Sequence, residues 1–321
     1  MATIVKHPAA GSARRSAAGA ALLVVVIGLS MQTGSALAVR VIGSVGMVEA
    51  LWLRTAIAAL ILVAVRPRSL RAPKGRDLRA LAALTLSLLA MNLTFYAAIS
   101  RAPVGVVVAV EFLGPLAVAV AGTRRAVDFI WVALAGGGVV LLAGPTSSVG
   151  AAGLLFALAA AACWASFLLL AKRAVTTMPP LEVTTLMLAG SAVLLTPALL
   201  VGGVRVSGHL GAVGVGAAVA VLSSAFPYFL ELVALRLVRA STYGVLLSIE
   251  PAAAALAGFL ILSQRLTSDE VAAIVAVMIA AAGASWSAGR SVSGRLRAVV
   301  EDTAAGEAVD SPPQPARPGG A

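Results

Sequence analysis

Cysteine, histidine and charge are all scarce in this chain. Cys163 is the only cysteine, so no intramolecular disulfide can form, and its place inside an apolar run points to packing. The two histidines, His7 and His209, fall outside the expected spans. There is no Cys/His cluster, no P-loop and no Gly-x-Ser-x-Gly elbow. No metal site and no cofactor are therefore expected. Charged residues make up 12% of the chain and aromatic residues 5%. What fills their place is apolar: 60% of the residues are hydrophobic, and the mean hydropathy is +1.01. A soluble fold of this composition would aggregate, so the solvent is a bilayer. Acidic residues are outnumbered, and the net charge is +11. Nucleic acid is nevertheless rejected as a partner, because the basic residues sit in short loops, as membrane orientation requires, and not on one soluble face.

Apolar runs at 18–38, 46–65, 78–99, 103–122, 128–144, 151–171, 181–201, 211–235, 240–262 and 268–288 are read as membrane spans. They are continuous rather than alternating, which favours helices over a barrel. The first run follows His7, Arg14 and Arg15 like a signal peptide, but nine more runs follow it, so it is read as an uncleaved span. With the N-terminus inside, inner segments hold 18 Lys and Arg residues and outer segments hold 4, namely Arg40, Arg101, Arg205 and Arg265. That asymmetry predicts cytoplasmic termini on both sides of an even number of spans. The polar end, with Ser311-Pro312-Pro313 and Pro318-Gly319-Gly320, buries too little to fold and is expected to be disordered. The chain therefore divides into 1–17 (cytoplasmic N-terminus), 18–147 and 148–288 (five helices each) and 289–321 (tail).

Two carboxylates interrupt the apolar runs. Glu111 is followed four residues later by Pro115, and Glu250 directly by Pro251. A carboxylate deep in a span is costly unless it faces a polar cavity. A proline inside a helix frees the carbonyl four residues back: that of Glu111 for Pro115, and that of Leu247 for Pro251. Each site would then offer a carboxylate or a bare carbonyl to a cation; an ordinary kink is the plainer reading. The stretch from Tyr96 to Pro115 aligns without a gap on Leu232 to Pro251, pairing Ala98 with Ala234 and Pro115 with Pro251. Five spans precede the repeat point, so the second half would be inserted upside down, as in carriers whose site lies at the midplane between inverted repeats.

Met91-Asn92-Leu93-Thr94-Phe95-Tyr96 leads into Val108-Ala109-Val110-Glu111-Phe112-Leu113-Gly114-Pro115-Leu116-Ala117. Arg124-Arg125-Ala126-Val127-Asp128-Phe129, Cys163-Trp164-Ala165, Leu222-Ser223-Ser224-Ala225-Phe226-Pro227-Tyr228, Glu231 and Ser248-Ile249-Glu250-Pro251-Ala252 follow. With these motifs the chain resembles the drug/metabolite transporter superfamily, EamA type, and within it the bacterial threonine and homoserine exporters of the inner membrane. The likeness runs over residues 18–288. One departure is Leu170-Ala171-Lys172-Arg173, which makes the inner end of the sixth span more basic. The resemblance implies an all-α polytopic membrane protein of ten helices in two inverted five-helix repeats. It also implies efflux of small neutral amino acids coupled to inward proton movement.

Glu111 is the first candidate for the coupling carboxylate, carrying a proton inward and releasing it to the cytoplasm; Glu250 is its symmetry-related counterpart. Ser224, Tyr228 and Glu231 share one helical face, and Asn92, Phe95 and Tyr96 make a similar face on the third span. A zwitterion needs an acceptor for its ammonium and a donor for its carboxylate, and Glu, Asn and Tyr could serve. Interhelical hydrogen bonding is the alternative. Glu231 could also lie near enough to the inner surface to sit in water. Arg54, inside the second span, must pair or snorkel; it would bind the substrate carboxylate or fix helix packing. Glu49 is expected to be solvated at the outer boundary, and Trp131 to be an interfacial anchor. Ser30, Gln32, Ser35, Trp164 and Ser166 are further cavity-lining candidates.

These residues predict a proton-antiporting exporter of small amino acids, not an enzyme. An exporter of the same fold for a purine, sugar or aromatic compound is one alternative. An intramembrane lipid-modifying enzyme is another, but it would need clustered His, Asp or Ser-Lys groups that the spans lack. The expected partners are an amino-acid substrate, protons and the lipid bilayer, with a homodimer left open.

Overall fold

A segment that meets lipid on one side and protein on the other is apolar all round. Lipid offers its backbone no hydrogen bonds, so each run must coil into a helix that satisfies itself. In the computed structural model the described residues are 10–70, 73, 75–121, 126–142, 149–202, 210–237 and 247–287, and they are helical apart from short turns. In order they form α1 (Ala10–Val45), α2 (Met47–Val65), α3 (Arg76–Ile99), α4 (Val104–Glu111), α5 (Leu113–Ala121), α6 (Ala126–Leu142), α7 (Ala151–Thr177), α8 (Pro180–Gly202), α9 (Leu210–Ala220), α10 (Phe226–Leu237) and α11 (Glu250–Leu262), followed by α12 (Ser268–Ser287). Among the described residues, eight helical spans are long and apolar enough to cross a bilayer, α4 with α5 and α9 with α10 each counting as one; Phe129–Leu142 and Glu250–Leu262 are shorter apolar helices. Phe129, Leu60 and Val201 are among the large apolar side chains left on the outside, where lipid is their solvent.

The two carboxylate-proline sites break their helices, in different ways. At Pro115 the helix is interrupted three residues upstream: α4 ends at Glu111, Phe112 caps it, and α5 begins at Leu113. At Pro251 the break precedes the helix. Ser248 and Ile249 form a turn, and Glu250 and Pro251 open α11. Within the described part of the span expected over 240–262, the helix opens at Glu250 after the turn. Proline in a first turn has no intrahelical N–H to lose, so Pro251 sits just after the break, at the start of α11, and not in a mid-helix kink. Residues 240–246 lie outside the described residues, as do 1–9 and the tail from 288. Residues 10–17, expected to be part of a separate N-terminal segment, are helical and continuous with α1. That helix also runs on past 38 to Val45, which puts Arg40 on its exposed last turns with its guanidinium donating to the Ile261 carbonyl.

The packing follows a regular scheme. α1 packs on α11, and α7 packs on α4 and α5. α3 packs on α7 and α8, and α9 packs on α1 and α2. α2 lies against α8 and α4 against α11, while Gly138 of α6 approaches Ala273 and Val277 of α12. Small residues set the closest approaches, as expected where lipid supplies no hydrophobic drive. A Cβ on Gly105 would lie 2.7 Å from the Ala255 Cα, so α4 and α11 touch backbone to backbone. A Cβ on Gly283 would lie 2.5 Å from the Trp131 ring. Trp131 is therefore a packing residue between α6 and α12 and not an interfacial anchor, and its Nε1 is buried without a partner. Glu49, expected in water, is buried. The chain turns at Gly46 with φ +100°, and the carboxylate folds back to within 2.6 Å of where a Cβ there would sit. It lies in the first turn of α2, where the helix dipole favours a negative charge.

Gly105→Ala is expected to force α4 and α11 apart and cost about 1–3 kcal/mol, seen as a lower midpoint of thermal unfolding in detergent. Gly137→Ala, with nothing within 4 Å of the new methyl, is expected to leave the midpoint unchanged or raise it.

Candidate functional site

The site is organised by an irregularity in the span formed by α9 and α10. Residues Val221–Ala225 form a π-helical segment between them, and the Phe226 N–H reaches back five residues to the Val221 carbonyl. Pro227 has no N–H to offer the carbonyl four residues before it, that of Ser223. The π register likewise leaves the Leu222 carbonyl without its usual partner. Both freed oxygens are taken by other helices. Ser30 of α1 donates to the Leu222 carbonyl at 2.7 Å. Arg54 of α2 donates through Nη2 to the Ser223 carbonyl at 2.8 Å. A Cβ on Gly34 would lie 2.6 Å from the Ser223 Cβ, so α1 presses directly on this segment.

Arg54 is 2% exposed and cannot snorkel. Its Nε donates to the Ser224 hydroxyl, its Nη2 also to the Tyr228 hydroxyl at 3.1 Å, and its Nη1 to the Tyr96 hydroxyl at 3.4 Å. Both rings lie under the guanidinium, with centroids 5.5 Å and 5.7 Å from Cζ, which adds cation–π attraction. Tyr228 in turn donates to Asn92 Oδ1 at 3.3 Å, and Asn92 Nδ2 donates to the Leu88 carbonyl at 2.9 Å. Among the described residues, nothing accepts from the second N–H of Nη1. Among the described residues no carboxylate forms an ion pair with Arg54; the pair present is Arg66–Glu182 at 3.8 Å. A buried, unpaired cation is held only if most of its hydrogen bonds are met, and here three side-chain hydroxyls and one backbone carbonyl meet four of its five N–H groups.

Beside this guanidinium is a cavity of about 30 Å³, room for water and not for an amino acid. Its wall takes Gln32 and Ser35 from α1, Arg54 from α2, Asn92 and Phe95 from α3, Glu111 from α4, Trp164 from α7, Tyr228 from α10 and Glu250 from α11. Glu111 and Glu250, far apart in sequence, thus face one chamber. Glu250 Oε2 accepts from Gln32 Nε2 at 3.4 Å. Phe112, next to Glu111, meets Trp164 edge to face at 5.1 Å, which closes the wall on the α7 side.

Other expectations divide. Asn92, Tyr228, Ser224 and Arg54 are brought together. Tyr96 is buried behind Arg54 and does not line the cavity. Glu231, for which water at the surface was considered, is buried; it lies outside the cavity wall, within electrostatic reach of Glu111 and Glu250. Ser30 reaches the π segment instead of the cavity, and Ser166 is exposed and bonded to the Ala162 carbonyl. Sequence reasoning missed the Ser223 carbonyl as a ligand. The signal was present in Pro227, four residues downstream.

A bundle of apolar helices, closed around a chamber that holds a guanidinium and carboxyl groups and set in a membrane, is the architecture of a transporter. Sequence comparison agrees. The model of the EamA-like transporter family matches residues 151–286. The threonine/homoserine exporter RhtA of Salmonella typhimurium (strain SL1344) is 39% identical over 280 residues, which is 86% of this chain and 94% of that protein. The protein of the same name from Escherichia coli (strain K12) is 36% identical over the same shares. A solved crystal structure of a protein with 17% identity superposes with a TM-score of 0.64 over 85% of this chain and 98% of its own, a likeness of fold alone. The chain belongs to the EamA-like transporter family, and it is a multi-pass protein of the inner membrane.

Tyr228→Phe removes a hydroxyl that accepts from Arg54 and donates to Asn92, and is expected to cost about 1–3 kcal/mol. Tyr96→Phe removes one long bond and is expected to cost less. Thermal unfolding of the two variants in the same detergent gives the order.

Proposed function

We propose that the chain exports small neutral amino acids of the threonine and homoserine kind in exchange for protons, with the chamber as the common site. The observation that carries this reading is the chamber's charge inventory. One buried guanidinium without a carboxylate partner and with an unused N–H suits a substrate carboxylate, and carboxyl groups of Glu111 and Glu250 on the facing helices suit an ammonium group. A zwitterion satisfies both at once, where a purine or sugar would leave the charges unmet. The relatives, named as threonine/homoserine exporters, support the same cargo. Without an ATP site in the sequence, an ion gradient supplies the energy. Glu111 and Glu250 carry the proton when the solute is absent, since a site emptied of its ammonium must neutralise its carboxyl groups by other means. Glu231, within their electrostatic reach, biases which of them holds it. No bond in the solute changes, so the activity is transport and not catalysis.

The chain is further proposed to consist of two inverted repeats, 18–147 and 148–288, with both termini cytoplasmic. The paired packing scheme supports this: exchanging α1 with α7, α2 with α8, α3 with α9–α10, α4–α5 with α11 and α6 with α12 turns each packing contact described above into another of them or back into itself. The lysine and arginine asymmetry supports the orientation.

The chamber is closed toward both ends of α3. Near its end, Gln264 Oε1 accepts the Val104 N–H at 3.1 Å, and Arg40 holds the Ile261 carbonyl. Near its start, the Thr177 hydroxyl donates to Asp77 at 3.2 Å, and Arg66 pairs with Glu182. Rocking of one repeat against the other would break one set at a time and admit solute from one side.

Proteoliposomes with an acidic lumen test this, because a proton antiporter then accumulates its cargo whichever way it is inserted. Labelled threonine and homoserine are expected to accumulate; accumulation of a purine, sugar or aromatic compound in their place would contradict the cargo. Glu111→Gln and Glu250→Gln are each expected to cut gradient-driven threonine uptake at least tenfold. Full gradient-driven uptake by either variant would remove that residue from the coupling role.

A further inference from the structure

Among the described residues, Gln32 carries the one polar side-chain atom of the chamber wall that is buried without a hydrogen-bond partner. Asn92 is engaged at both ends, donating to the Leu88 carbonyl and accepting from Tyr228. The Ser35 proton is spent on the Met31 carbonyl at 2.9 Å. Gln32 is 4% exposed, and its Nε2 is directed to Glu250 Oε2, but its Oε1 is buried with no hydrogen-bond partner. An idle buried amide oxygen is costly and rarely kept without a purpose. The backbone of α1 favours this arrangement. Gly28, one turn earlier on the same face, lets the Glu250 side chain pass, since a Cβ there would stand 3.1 Å from Glu250 Cγ. The carboxylate thereby reaches Gln32 and engages one face of its amide, leaving the other face over.

We propose that Gln32 is the residue by which the chamber recognises a hydroxyl on the side chain of its amino-acid cargo and rejects an apolar side chain of the same shape. This rests on the amino-acid reading above. The charged groups of the zwitterion are drawn to Arg54 and to the carboxyl groups of Glu111 and Glu250, which leaves the side chain to the neutral part of the wall on α1. A hydroxyl both donates and accepts, so it satisfies the amide face that Glu250 leaves free. Valine, which has threonine's branching without its hydroxyl, leaves that face unmet. Sites built around such a polar group discriminate far more strongly than apolar pockets do.

The test is competition in proteoliposomes with an acidic lumen, using labelled threonine against unlabelled threonine, homoserine and valine. In the wild type, valine is expected to compete at least tenfold more weakly than threonine; equal competition would overturn the proposal without any variant being made. Gln32→Leu is expected to bring threonine and valine to within about threefold of each other, a ratio independent of how much protein is folded. Gln32→Asn, which withdraws the amide by one methylene, is expected to shift the preference from threonine toward homoserine, whose hydroxyl lies one carbon further out. Retention of the wild-type ratios by both variants would overturn it. Failure of the wild type to accumulate any amino acid would instead overturn the cargo reading on which it rests.

Discussion

A guanidinium that cannot reach water governs this structure. Lipid offers Arg54 nothing, and no carboxylate pairs with it among the described residues, so protein oxygens must do what hydration would. The chain supplies them through a local departure from the α-helix. Pro227 and the π register of Val221–Ala225 release backbone carbonyls, and Tyr96, Tyr228 and Ser224 complete the shell. Through these bonds α1, α2, α3 and the α9–α10 span meet at one place. The same arrangement leaves an unused N–H beside a chamber that two glutamates face. In the proposed exporter, holding the cation in place and presenting it to a solute are one feature of the packing.

Small residues make the rest possible. Backbone contact at Gly105 and Ala255 brings α4 and α11, the bearers of Glu111 and Glu250, close enough to share a wall. Glu111 ends α4 and Glu250 opens α11, and both line the same chamber. In the proposed exporter, a cavity that admits water and excludes an amino acid is the closed state, and the light polar bonds at either end of α3 are few enough for one set to open while the other holds.

Much of this was legible in the sequence. Hydropathy and the absence of alternation imply helices because lipid tolerates little else, and deep carboxylates imply a cavity because they are otherwise too costly. Asn92, Tyr228, Ser224 and Arg54 could be named individually, since polar groups in apolar spans are few. Their convergence could not, because it depends on how helices distant in sequence pack. Tyr96 and Asn92 share a turn, yet one lies behind the guanidinium and the other faces the chamber. Pro227 carried a readable signal that was overshadowed by the prolines beside carboxylates. Glu49 and Trp131 were misjudged because position near a span end says nothing of a glycine turn that folds a side chain inward or of a glycine that receives a ring.

The central claim is that solute and proton share this chamber in turn, and the most direct measurement records both at once. In proteoliposomes of the purified chain with an acidic lumen, lumenal pH and threonine content are followed together. Threonine uptake accompanied by proton loss from the lumen, both ending when a protonophore collapses the gradient, is the expected result. Threonine accumulation that leaves lumenal pH unchanged and continues without the gradient would contradict it.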